Sequence, residues 1–71
     1  MRFIYPNLIR EMMSRNITAA TIAPVIEVST SAVYRRLRGE TDWKLPEVIR
    51  LCQFFDNSNA SELFLRLDIK S

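Results

Sequence analysis

The sequence predicts a small all-α domain built from five short helices. Three observations carry that expectation. Apolar residues recur at three- and four-residue spacing early and late in the chain. The stretch from Thr18 to Gly39 is punctuated as two helices joined by a tight turn. And 71 residues, 48% of them apolar, suffice for one compact unit and not for two. Such a chain lies near the lower limit at which a hydrophobic core alone holds a fold. No internal repeat, low-complexity tract or linker divides it.

The first helix is expected from Pro6 to Arg15. Proline suits a first helical position, and Leu8, Ile9, Met12 and Met13 make an apolar stripe. Arg15 suits the negative end of the helix dipole, and Asn16 tolerates the left-handed conformation that ends a helix. The second helix follows Thr18 as N-cap, with Ile22, Ala23 and Ile26 inward. Pro24 removes one backbone bond there and crowds the carbonyl of Ala20, so the helix is either bent or begins nearer Thr21. The third helix, 29–38, opens on Ser29, whose hydroxyl can accept from an N–H that the first turn leaves unpaired. It closes before Gly39, the one glycine of the chain, placed where a left-handed residue is wanted. Val33 and Leu37 share one face at i, i+4, while Tyr34, Arg35 and Arg38 point elsewhere.

In the fourth helix Leu45, Val48, Ile49, Cys52 and Phe55 recur at helical spacing, with Leu51 and Phe54 widening the apolar face. Pro46 and Glu47 belong to its first turn. After the loop Asp56-Asn57-Ser58-Asn59, Asn59 and Glu62 resemble an N-cap with a reciprocal acid for a short fifth helix. The two ends read differently. Leu63, Leu65, Leu67 and Ile69 alternate with Phe64, Arg66, Asp68 and Lys70, and Met1, Phe3 and Tyr5 alternate with Arg2 and Ile4. A small β pair formed by the two termini, within one chain or between two, would satisfy both segments.

Composition excludes several classes of function. No apolar run approaches the roughly 18 residues of a membrane span, and no signal-peptide pattern is visible, so a cytoplasmic protein is expected. Cys52, the single cysteine, has no partner for an internal disulfide and reads as a small buried hydrophobe. Without histidine a zinc site is implausible, and no acid–base or covalent constellation can be assembled, which argues against an enzyme and against cofactors. Net charge is only +2, but its distribution is uneven. From Val28 to Gly39 there is no acid, while Arg35, Arg36 and Arg38 crowd together. That exceeds what dipole complementation at a helix end needs and suits a phosphate backbone.

These residues resemble the lambda-repressor-like, Cro/CI-type (XRE) helix-turn-helix regulators, and more narrowly their small phage-encoded members. The small residue of the family's second helix matches Ala23, its turn valine Val28, its recognition-helix cap Ser29 and its buried valine Val33. Gly39, Trp43 and Leu45 match the glycine, loop aromatic and helix-opening residue that follow. The similarity covers nearly the whole chain and is specific from Thr18 to Leu45. Three positions depart from the pattern: Glu27 stands where the turn usually has glycine, Ala19 where the second helix often opens with glutamine, and Arg36 where an apolar residue is usual.

The resemblance implies a five-helix DNA-binding domain whose third helix enters the major groove. Carried over residue by residue, Thr30, Ser31, Tyr34 and Arg35 would meet base edges, whereas Ser29, Arg38, Thr41 and Lys44 would hold phosphates. Tyr34 could instead be packed, Arg36 reads as a solvated or ion-paired residue, with Glu40 at i+4 as a partner, and Trp43 reads as a core plug between the third and fourth helices. The partner implied is a double-stranded operator bound by a homodimer, with the apolar C-terminal segment as self-contact and no small-molecule effector. The alternative is a protein-interaction module, such as an antirepressor, that keeps the fold without operator binding; Glu27, Ala19 and Pro24 favour it.

Overall fold

Helix boundaries in this chain are set by how each helix ends. The computed structural model describes residues 3–67. Within them run α1 (Pro6–Ser14), α2 (Ala19–Ile26), α3 (Thr30–Leu37), α4 (Leu45–Phe54) and α5 (Ala60–Leu63), with no strand among the described residues. The protein is therefore a small all-α domain. The first four helices close through a residue at positive φ: Asn16 (57°), Glu27 (60°), Gly39 (81°) and Asp56 (54°). Each such residue turns the chain so that the N–H just beyond it reaches back to an otherwise orphaned carbonyl, as in Ile17 N–H to Met12 O (2.7 Å), Val28 N–H to Ala23 O (3.0 Å), Glu40 N–H to Arg35 O (2.9 Å) and Asn57 N–H to Cys52 O (2.9 Å). Asn and Asp tolerate this conformation best among residues with a Cβ, whereas Glu27 bears about 1–2 kcal/mol of strain.

The core is one cluster of Ile4, Tyr5, Leu8, Met12, Ala19, Ile22, Ala23, Ile26, Val33, Leu37, Leu51, Phe55 and Leu63. α2 is its hub, packing on both α3 and α4, while α5 packs on α4 and α1. Ala23, 5% exposed, is one of two small residues on the inward face of α2, with Ala19. Pro24 lies inside α2 and is exposed. The helix begins at Ala19 and not nearer Thr21, so it accommodates the proline past its first turn.

Several expectations need correction. The Thr18 hydroxyl does not cap α2 but lies 3.3 Å from the Thr21 hydroxyl. Met13 is 76% exposed, so the inward stripe of α1 is Leu8 and Met12 with Ile9 beside them. α4 is rotated from the expected face: Leu45 is 72% and Ile49 49% exposed, and the residues turned inward are Glu47, Leu51 and the C-cap Phe55. Glu47 draws the helix that way, because its carboxylate has a buried partner on α3. Asn59 Oδ1 does cap α5, accepting from Glu62 N–H at 3.1 Å, but the reciprocal bond is replaced by Asn59 N–H to Asn57 Oδ1 at 2.9 Å.

The expected terminal β pair is reduced, among the described residues, to a single backbone bond from Leu67 N–H to Ile4 O at 2.7 Å. The remaining residues of the two alternating segments, 1–2 and 68–71, lie outside the described residues. At Ile4 the pairing is not that of a regular ladder, because its N–H goes to the Leu37 carbonyl, at 3.0 Å.

Candidate nucleic-acid interface

The face of α3 is fixed by what its other side buries. Val33 and Leu37 are sealed in the core, and the Ser29 hydroxyl accepts from Ala32 N–H at 3.1 Å, satisfying one N–H of the first turn. The far end is held by the lead segment through the Ile4–Leu37 bond, with Gly39 against the Ile4 side chain. A Cβ on Gly39 would overlap Ile4 Cδ1 and lie 3.3 Å from its Cγ1. Glycine is therefore required twice there, by space and by φ. Among the first four helix ends, this is the one where neither Asn nor Asp would fit.

With that side anchored, Thr30, Ser31, Tyr34 and Arg35 all lie on exposed positions of α3. The Arg35 guanidinium has no ion pair among the described residues. The face thus presents two hydroxyls, a phenol and a guanidinium, which can donate to and accept from base edges in a groove that admits an α-helix. Tyr34 is intermediate between the two readings given for it. It is 38% exposed, and its ring stacks on Phe3 at a 6.4 Å centroid separation and 22° between planes. Together these rings edge an apolar cleft of about 240 Å³ completed by Ile9, Met12, Met13 and Ile17.

The four residues assigned to phosphates fall in two settings. Ser29, Thr41 and Lys44 are exposed, and Lys44 is N-cap of α4. Arg38 is half-buried and paired through Nε with Glu40 Oε2 at 2.6 Å. That hydrogen bond, reinforced by the charges of Arg38 and Arg35, holds the Glu40 carboxyl below its ordinary range. Any phosphate approaching Arg38 shares it with Glu40.

Arg36 departs most from expectation. It is not solvated and does not pair with Glu40. It is buried and forms a two-pronged bond with Glu47, from Nε to Oε1 at 2.9 Å and from Nη2 to Oε2 at 3.1 Å. Leu37, 1% exposed, takes the packing that an apolar residue at position 36 would supply. Trp43 is half-buried, edge-on to Tyr5 (6.1 Å) and Phe64 (5.4 Å), and its buried Nε1–H has no hydrogen-bond partner among the described residues. It plugs the loop as expected.

Sequence reasoning missed Phe3, Ile4 and Glu47. Only Glu47 carried a usable signal, an acid in the first turn of a helix whose partner lies eleven positions earlier. No metal-binding group of His, Cys, Asp and Glu occurs among the described residues. Burial pushes the Cys52 thiol up. No described helix is long and apolar enough to cross a membrane.

Against models of protein families, residues 4–69 match the BetR domain. No curated protein and no solved structure matches the chain.

Proposed function

We propose that this chain, which belongs to the BetR domain family, is a sequence-specific DNA-binding transcriptional regulator of lambda-repressor-like, helix-turn-helix fold. The observation that carries the reading is the outward face of α3. Thr30, Ser31, Tyr34 and Arg35, which has no ion pair among the described residues, project together from a helix whose opposite side is locked in the core. Arg35 donates to guanine in the major groove, Thr30 and Ser31 meet bases at the helix start, and Tyr34 offers a ring edge to a thymine methyl. Ser29, Thr41 and Lys44 fix the register on phosphates, with Arg38 contributing alongside Glu40.

The chain acts as a homodimer on a two-fold site. One recognition helix reads only a few base pairs, whereas two spaced by about 34 Å read two half-sites. Leu65 and Leu67, 53% and 59% exposed, are the apolar residues available for self-contact. Occlusion of a promoter then suffices for repression, without catalysis and without a cofactor.

Exposed apolar residues also favour a second reading, a protein-interaction module that binds another regulator. Leu45, Ile49, Leu65 and Leu67 are all about half exposed or more. Selection of binding sites from random duplex DNA separates the two. The DNA reading expects a recovered two-fold symmetric site bound with a steep salt dependence. Recovery of no site, with indifference to salt, would remove it in favour of the second.

A further inference from the structure

Arg36 and Glu47 are joined more elaborately than an isolated ion pair. Besides its two bonds to the carboxylate, the guanidinium turns Nη1 back to the Ala32 carbonyl of its own helix, at 3.2 Å. Glu47 Oε1 accepts a further bond, from the Lys44 backbone N–H at 3.0 Å. One carboxylate therefore holds the last turn of α3 and the residue that opens α4. Both helices pack on α2. Beyond their shared packing on α2, this side-chain bridge ties one directly to the other.

Stability alone does not account for such a bridge. The side chains are 10% and 8% exposed, so most of their mutual attraction offsets lost hydration, and a well-packed apolar pair would serve as well. What an apolar pair cannot supply is direction. A guanidinium–carboxylate fork has one planar geometry, whereas methyl groups slide.

Resting on the DNA reading above, we infer that Arg36 and Glu47 are positioning residues: a clamp that sets the angle between the base-reading face of α3 and the phosphate-holding Lys44. A phosphate contact at Lys44 fixes the protein on the duplex, and the clamp converts that register into the placement of Arg35. With the clamp removed, Lys44 still holds its phosphate while α3 tilts, and the directional bonds to bases weaken first. The clamp thus governs discrimination between sequences more than affinity for DNA as such. It also gives a reason for a charged residue at a position where the resemblance implies an apolar one.

The test compares the full chain with Arg36→Met/Glu47→Leu and with Glu47→Asp, whose carboxylate is one methylene too short to hold Arg36 and Lys44 together. The probes are the duplex the unaltered chain selects from random DNA and a scrambled duplex of the same composition. Both are measured where thermal unfolding shows every variant folded. The expected result is a loss of about tenfold in the ratio of the two affinities, equivalent to about 1.4 kcal/mol, with the salt slope on scrambled DNA unchanged. A merely structural pair would leave that ratio unchanged in a folded variant, and such a result overturns the clamp while the DNA reading stands. If the unaltered chain selects no duplex, the DNA reading falls and the clamp falls with it. Should neither variant fold, the Arg36 Nε proton of the unaltered chain decides. Its resonance should move on the selected duplex and stay still on the scrambled one; equal behaviour on both overturns the inference.

Discussion

Replacing Gly39 with alanine should be among the most damaging single changes in this protein. The backbone there is left-handed, at φ 81°, which costs an L-residue about 1–2 kcal/mol. The added Cβ would also overlap Ile4 Cδ1, the end of a buried side chain that would have to shift. Ile4 is 5% exposed, and its backbone is held on both sides, by the Leu37 carbonyl and the Leu67 N–H. Overpacking of a filled site adds about 1–3 kcal/mol. The sum, about 2–5 kcal/mol, is a large share of the roughly 4–10 kcal/mol expected for a domain of this size. The melting temperature should fall by roughly 8–40 °C.

The two contributions can be separated. Ile4→Val removes the colliding Cδ1 and by itself should cost about 0.5–1.5 kcal/mol. Combined with Gly39→Ala it should recover part of the loss, giving a coupling of about 1 kcal/mol in a thermal or urea double-mutant cycle. A Gly39→Ala variant that melts within two or three degrees of the unaltered chain, or strictly additive losses, would refute the packing of the lead segment on the end of α3.

Three further outcomes follow from the same geometry. Arg35→Ala should abolish discrimination between selected and scrambled duplexes, whereas Lys44→Ala should weaken both alike and reduce the log–log salt slope by about one; equal, sequence-blind losses would contradict the division of roles. Ser29→Ala should cost about 0.5–2 kcal/mol in urea unfolding through loss of the bond to Ala32 N–H. Glu40, whose carboxyl Arg38 holds low, should titrate below an ordinary glutamate by carboxyl NMR and return toward it in Arg38→Met. Because its folded value is depressed, its contribution is complete above the unfolded value and is lost as pH falls through the folded one.

What could be read from the sequence was the information that acts locally. Ser29, Asn16 and Gly39 each dictate a backbone conformation to immediate neighbours, so helix ends were legible to within a residue or so. Val33 and Leu37 fixed the inward face of α3 by spacing alone, and the outward face followed as the remainder. The face of α4 was misjudged because its orientation is set by a distant partner. Apolar spacing turned Leu45 and Ile49 inward, but a carboxylate meeting Arg36 from another helix rotated Glu47 there instead. Pairings between charges were equally illegible. Arg36 had Glu40 one turn away and took Glu47, leaving Glu40 to Arg38, because burial rewards the two-pronged geometry that only Glu47 offers. Of the alternation at the ends, one backbone bond between Leu67 and Ile4 remains among the described residues, and Ile4 is also needed at α3. No periodicity could signal that three-way junction.

The most direct measurement of the central claim is chemical-shift mapping of the chain titrated with the duplex it selects from random DNA. The expected perturbations centre on Thr30, Ser31, Tyr34 and Arg35, with a weaker border at Ser29, Thr41 and Lys44. Perturbations confined to Leu45, Ile49 and Leu65, with α3 silent, would contradict it.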